Sequence, residues 1–188
     1  MLWPLWSRYS PRCLQTAPER VKNETMKKLT LAVLFAFALL TPAFAKTFKV
    51  PDEGSFASIT IPDDWKSKEI DKGVESQSKD DEVYFAVEAT DAKGMDKTIE
   101  EAIDFLKEQG VTIDPKTQKQ SEGKINGMEG VDITWSGKDK EGDAIVSLTI
   151  LAVRKDKALI ITYWASPEGT KSHAKELGEI LSSVKGIM

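Results

Sequence analysis

The stretch AIVSLTILAVRKDKALIITYWAS, residues 144–166, decides the fold. Its alternation predicts two long strands, at residues 144–154 and 158–166, joined by a polar turn at 155–157. Both strands carry apolar side chains on both faces: Ala144, Val146, Leu148, Ile150 and Ala152 oppose Ile145, Leu151 and Val153, and Leu159, Ile161 and Tyr163 oppose Ile160 and Trp164. Strands of this kind have both faces covered, so we expect a buried middle layer.

The rest of the chain predicts further strands and two helices around that layer. Strands are expected at residues 48–50, 55–61, 73–78, 82–90, 118–125 and 131–136, and Asn126-Gly127 predicts a tight hairpin turn. The stripe Ile99, Ala102, Ile103 and Leu106 predicts a helix that starts at a capping box of Thr98 and Glu101 and ends at Gly110. A last helix is expected over 170–184. The predicted fold class is α+β, a three-layer α/β/α sandwich with a mainly antiparallel sheet and two main helices.

Several of these segments resemble the PsbP-like, or Mog-type, family. The resemblance lies in a strand that ends in ITIPDDW (residues 59–65), the mid-chain helix, the late strand pair and a final helix that closes in ILSSVK (residues 180–185). It spans nearly all of residues 48–186 and implies a binding or assembly role without catalysis, since the known members act by docking on larger partners. No site motif of the family matches, so the resemblance assigns no functional residue.

Residues 26–45, MKKLTLAVLFAFALLTPAFA, have the three parts of a secretory signal peptide. Lys27 and Lys28 precede an apolar run, a proline follows it, and Ala43 and Ala45 occupy the −3 and −1 positions of a cut before Lys46, where signal peptidase is expected to recognise them. The run is shorter than the roughly 20 apolar residues that span a bilayer. Because Lys46, and not a cysteine, follows the cut, we expect a soluble periplasmic protein without a lipid anchor.

The expected organisation has three parts. Residues 1–25 lack apolar periodicity and precede the signal peptide, so they are interpreted as a non-native extension; a signal peptide with an unusually long basic region is the alternative. Residues 46–188 are expected to form a single PsbP-like globular domain. The one cysteine, Cys13, lies upstream of the cut, so the exported part must depend on an apolar core.

The charge of the exported part argues against nucleic acid and anionic lipid as partners. Six of the 26 basic and two of the 30 acidic residues precede Lys46, which leaves a net charge of −8 on residues 46–188. Binding to phosphate backbones depends on Lys and Arg in excess. The same segment has no basic run for a membrane surface.

His173 is the single histidine of the chain. The string around it, residues 172–177, superficially resembles the phosphoacceptor helix of a sensor kinase, but no glycine-rich nucleotide motif accompanies it and export would remove it from ATP. One histidine without cysteines also does not make a zinc site. The sequence therefore favours a surface histidine.

The acidic turns and the serines do not form a recognisable site. Asp139, Glu141 and Asp143 alternate around a glycine, yet the glycine and the twelfth-position Glu of an EF-hand are out of register, so a solvated hairpin turn is favoured. Residues 80–82 are likewise interpreted as a charged turn. No G-x-S-x-G elbow is present, and nothing in the spacing selects a carboxylate pair.

Three tryptophans complete the candidates. Trp135 and Trp164 lie on predicted buried faces, which favours a packing role. Trp65 follows a turn and is either the wall of a groove or, as the sequence favours, a plug at the end of the sheet. We therefore predict no catalytic, cofactor-binding or metal residue.

The expected function is an exported soluble binding or assembly module of the bacterial cell envelope, whose partner is an unidentified protein or small ligand. No cofactor is expected, and the oligomeric state is not indicated. A small periplasmic hydrolase with a carboxylate pair is the alternative, and a structural stabiliser of the envelope is a third reading.

Overall fold

The computed structural model describes residues 44–187. The strands are β1 (Ala45–Val50), β2 (Ala57–Pro62), β3 (Lys66–Ile70), β4 (Gly73–Gln77), β5 (Val83–Asp91), β6 (Thr112–Ile113), β7 (Lys119–Ile125), β8 (Met128–Lys138), β9 (Asp143–Arg154), β10 (Lys157–Ala165) and β11 (Lys185–Gly186). The helices are α1 (Met95–Glu108), α2 (Pro167–Ser172) and α3 (Ala174–Ser182), with a short 3₁₀ turn at Pro115–Thr117. The predicted signal peptide and the stretch before it lie outside the described residues, except for its last two positions.

The strands form two antiparallel sheets. The main sheet has the order β3-β4-β5-β10-β9-β8-β6, and β7 pairs with the same edge of β8 as β6 does. The small sheet has the order β1-β2-β11. Within residues 44–187 no further strand pairs with the outer edges of β3 or β7.

The late strand pair lies in the middle of the main sheet, as its two apolar faces predict. β10 pairs with β5 on one side and with β9 on the other. On one face, Ala102 and Leu106 of α1 pack against Val146, Leu148 and Ile160 of these strands. That face is therefore covered by a single helix.

The opposite face is covered mainly by strands, and this corrects the predicted sandwich. Phe48 and Val50 of β1 and Ile59 and Ile61 of β2 join the buried cluster on that face, and Ile180 of α3 completes it. The fold is β-rich with two sheets and few helices, so the α/β/α prediction is wrong. Apolar faces require a cover, and alternating strands bury apolar surface as effectively as an amphipathic helix.

Three local predictions also differ from the structure. β3 was not predicted, because its side chains are mostly exposed and give no alternation. α1 starts before the expected Thr98, which is buried inside the helix and donates its hydroxyl to the Gly94 carbonyl and to the Thr90 hydroxyl. The last helix is broken at His173 into α2 and α3.

Candidate binding cleft

A cleft of about 460 Å³ lies between the C-terminal helices and the main sheet. Its helix wall is apolar and consists of Leu177, Ile180 and Leu181 of α3. Strand residues Phe85, Ile125 and Ile161 extend this apolar lining. Its floor, formed by the sheet, is polar and comprises Ser121, Asp132, Ser147, Thr149 and Tyr163. Thr170 of α2 adds a further hydroxyl group to the lining. An apolar pocket with a few convergent polar groups is the usual form of a small-molecule site.

The polar floor explains why the helix does not close over this part of the sheet. Ser147 and Thr149 interrupt the apolar face of β9 between Ile145 and Leu151, and they pair with Thr134 and Asp132 of β8. Short polar side chains at these positions give α3 nothing to bury. Ile180 of α3 instead joins the buried cluster formed by β1, β2, β5 and β10, and the cleft remains between the helix and the polar floor.

Asp132 is held in a fixed orientation on this floor. The Thr149 hydroxyl donates to its Oδ1 at 2.7 Å, and the Thr134 hydroxyl donates to its Oδ2 at 2.9 Å. The residue is partly buried. Within the described residues no Lys, Arg or His nitrogen lies within 4.0 Å of its carboxylate.

The two ends of the helix wall are fastened to the sheet. At one end the Asn126 side-chain amide donates to the Ser182 and Val184 carbonyls, both at 2.7 Å. Asn126 and Gly127 have positive φ, as the predicted hairpin turn requires. At the other end the hydroxyls of Tyr163 and Thr170 lie 2.8 Å apart, and burial raises the pKa of Tyr163.

His173 is not the surface histidine that the sequence favours, since its side chain is only 14% exposed. Its Nδ1 lies 2.8 Å from Glu176 Oε2, and its Nε2 lies 3.0 Å from Asp80 Oδ2. The hydrogen bond with Glu176 raises the pKa of His173, burial opposes this, and the bond with Asp80 adds to it. Both ring nitrogens are therefore engaged by carboxylates, and neither is free to act as a general base.

Asp80 belongs to the 80–82 stretch that the sequence interpreted as a charged turn. It accepts from the Ser78 hydroxyl at 2.6 Å. This hydrogen bond, followed by the one from His173, lowers the pKa of Asp80 to about 2. The turn is thus part of a network that connects the β4–β5 loop with α3.

Trp65 extends the same network and is buried, in agreement with the predicted plug. Its ring packs 5.5 Å from that of Phe85 and edge-on to His173 at 5.7 Å, and its indole Nε1 donates to Glu176 at 3.2 Å. Trp135 and Trp164 are only partly buried, although both contact the core cluster under α1.

The acidic loop considered for calcium is a hairpin turn between β8 and β9. Asp139 Oδ1 accepts from the backbone N–H groups of Glu141 and Gly142, and its Oδ2 accepts from the Trp164 indole. Burial tends to raise the pKa of Asp139, but these hydrogen bonds together hold it below its usual value. Among the described residues no group of three His, Cys, Asp or Glu side chains is arranged to hold a metal ion.

A carboxyl group with a raised pKa lies elsewhere, on β5. Burial raises the pKa of Glu88, opposed by the nearby charge of Lys72. The adjacent Glu101 is hydrogen-bonded by Lys72 and Lys97, which lower its pKa. This group lies on the α1 side of the sheet and contributes nothing to the cleft.

The cleft residues were not recognised from the sequence as a site. Asp132 and Thr134 alternate with apolar residues in the strand predicted over 131–136, a pattern that also fits an ordinary solvated face. The gap that Ser147 and Thr149 leave in the apolar pattern of β9 is the available indication. The third wall is supplied by α3, which is distant in sequence. Within residues 44–187, no helix combines the length and the apolar character needed to cross a bilayer.

The described residues form a β-rich, two-sheet domain with a cleft under its last helix, and this fold is similar to that of a solved PsbP protein. A solution structure of cyanobacterial PsbP (CyanoP) from Synechocystis sp. PCC 6803 matches with a TM-score of 0.52 at 6% identity, over 79% of this chain and 96% of that one. At such identity the likeness concerns the fold alone.

Two further solved structures are similar. A protein from Bacteroides thetaiotaomicron VPI-5482 matches with a TM-score of 0.52 at 18% identity over 76% of this chain, which spans only 48% of that protein. LpqN, involved in cell envelope biogenesis of Mycobacterium tuberculosis, matches over 80% of this chain and 88% of that one, at 13% identity and a TM-score of 0.44, which is too low to establish a shared fold. Neither the protein-family models nor the curated proteins gave a match.

Proposed function

We propose that the chain is an exported binding module of the bacterial cell envelope that takes a small ligand in the cleft between α3 and the main sheet. The observation that carries the proposal is the cleft itself, which has an apolar wall and a floor of fixed hydroxyl and carboxyl groups. Its volume lies within the range of about 300–1,000 Å³ that is typical of small-molecule sites. The signal peptide pattern at residues 26–45 supports the export.

The proposed role is binding without catalysis. Of the three side chains of a hydrolytic triad, the histidine does not line the cleft, because both ring nitrogens of His173, the single histidine of the chain, are engaged by Asp80 and Glu176. Asp132 is hydrogen-bonded by two threonines, and within residues 44–187 no second carboxyl group is hydrogen-bonded to it. The cleft thus offers recognition groups and no evident general acid–base pair.

A pair of tryptophan variants tests the site. Ala174 lines the cleft and is exposed, whereas the adjacent Lys175 is exposed and does not line it. The probe is N-phenyl-1-naphthylamine, a neutral aromatic molecule whose fluorescence rises in apolar surroundings. We expect saturable binding to the unaltered protein and to Lys175→Trp, and loss of binding in Ala174→Trp, because the indole fills the mouth of the cleft.

Circular dichroism of both variants controls for folding. Equal binding of the probe by Ala174→Trp and by the unaltered protein contradicts the proposed site, as does the absence of saturable binding to the unaltered protein.

A further inference from the structure

The cleft has a negative charge that no cation in its walls balances. Asp132 accepts one hydrogen bond on each carboxylate oxygen from a neutral hydroxyl, and a carboxylate has about four acceptor positions. Acceptor capacity therefore remains after both threonines are counted. A partly buried charge is stabilised best by an opposite charge, and residues 44–187 place none within 4.0 Å of it.

The lysine at the rim does not supply that charge. Lys124 lines the cleft through β7, but its ammonium pairs with Glu129 at 3.2 Å. Glu129 faces Lys124 directly across the β7–β8 ladder. Glu122, the other charged residue at the rim, is exposed, and because it pairs with Val131 its side chain projects to the face of the sheet opposite to that of Asp132.

The remaining polar groups of the floor are hydroxyls, which suit an N–H donor. Ser121, Ser147 and Tyr163 line the cleft beside Asp132, and hydroxyl oxygens accept hydrogen bonds as readily as they donate them. An ammonium group has three donors and a guanidinium has five. The helix wall opposite, built from Leu177, Ile180 and Leu181, offers only apolar surface.

From this charge complementarity we infer that the ligand of the cleft is an amphipathic cation, with an ammonium or guanidinium group on Asp132 and an apolar body against α3. The inference rests on the proposed function, whose site it shares, and names its ligand class. Anionic amphiphiles are disfavoured at the same place by Asp132 and by the net charge of −8 on residues 46–188.

Three alkyl probes of equal chain length test the inference by isothermal titration calorimetry at pH 7: octylamine, 1-octanol and octanoate. On the unaltered protein we expect octylamine to bind at least about tenfold more tightly than either of the others, because a hydrogen bond to a charged group contributes about 1.5–3 kcal/mol. This comparison needs no variant, so it does not depend on how any substitution folds.

Two carboxylate variants then locate the effect. Asp132→Asn is expected to remove the preference for octylamine, whereas Glu122→Gln, which removes a carboxylate on the opposite face of the sheet, is expected to keep it. Equal affinity for octylamine and octanoate overturns the inference, and so does a preference that survives in Asp132→Asn.

The two proposals fail in different ways. If the neutral naphthylamine binds in the manner that Ala174→Trp blocks while octylamine shows no advantage, the cleft is a binding site and the ligand class is wrong. If octylamine binds equally well to Ala174→Trp and to the unaltered protein, the cleft is not the site and both proposals fall.

Discussion

His173 connects three parts of the chain that are far apart in sequence. Its ring contacts Asp80 of the β4–β5 loop, Glu176 of α3 and the edge of Trp65. It also lies at the break between α2 and α3, where Leu177 N–H still donates to the His173 carbonyl. We interpret His173 as the residue that connects α3, which lines the cleft, to the β4–β5 loop.

The network predicts a stability that depends on pH. His173 has a raised pKa in the folded protein, so its contribution is complete below its unfolded pKa of about 6.5 and is lost as pH rises through the folded value. Asp80 has a pKa lowered from 3.8 to about 2, so its contribution is present above 3.8 and is lost as pH falls through about 2. The network therefore stabilises most between about pH 4 and 6.5.

Urea unfolding of His173→Gln checks this. At pH 5.5 we expect the variant to lose about 1–2 kcal/mol of unfolding free energy, since it gives up charge-assisted bonds that are partly exposed on the Asp80 side. The difference should shrink as pH rises through the raised pKa of His173. Lys175→Gln on the same helix is the control, and a difference that is independent of pH contradicts the network.

Residues whose structure is set by near neighbours were predictable, and His173 was not. Asn126-Gly127 and Gly110 have positive φ, as the sequence indicated. The left-handed conformation at these positions is required by the local turn or helix end and depends on no distant residue. The role of His173 depends on Asp80, 93 positions away. Asp132 likewise lines a cleft whose other wall is α3, an element distant in sequence.

At the scale of elements, the close approach of β4 and β5 depends on one glycine. A Cβ on Gly73 would lie 1.8 Å from the Val87 carbonyl oxygen, a backbone atom that cannot move away without breaking the strand pairing. Gly73→Ala is expected to lower the free energy of unfolding by about 3 kcal/mol or more.

The matched control is Gly123→Ala in β7, where an added Cβ meets nothing within 4 Å. It should change the stability by no more than about 0.5 kcal/mol. Urea unfolding followed by tryptophan fluorescence measures both variants. A Gly73→Ala protein as stable as Gly123→Ala would show that β4 is not seated as described.

Element types were predictable where one strong period dominated. The late strand pair, the α1 stripe and the hairpin of β7 and β8 have such periods, and all three are present. β3 was not predicted from the sequence, because this edge strand with charged side chains has no apolar alternation. The sequence indicated that both faces of the main sheet are covered but did not indicate that β1 and β2 provide one of the covers.

At the scale of the whole molecule, the export prediction has its own test. If signal peptidase cuts after Ala45, only the first of the six residues of β1 is removed, and the pairs from Lys46 to Val50 with β2 persist. We expect the protein from a periplasmic extract of a Gram-negative host to start at Lys46 by intact mass. Ala45→Glu should block the cut, and Phe44→Ala, between the two recognised alanines, should not.

Detection of any peptide from residues 2–25 on the exported protein contradicts this prediction. Retention of the unaltered chain in the cytoplasm would contradict the proposed location in the cell envelope. The proposed binding of a ligand in the cleft would not be affected by that result.

The outer edge of β7, with which no other strand of residues 44–187 pairs, has a consequence for how the protein resists aggregation. The strand KQSEGKI presents open backbone donors and acceptors, and its Lys119 and Lys124 are exposed. Lysines on such an edge discourage addition of a second strand, because stacking would bring like charges together. Acylation of these two amines would remove that repulsion and leave the edge of β7 more open to addition of a second strand.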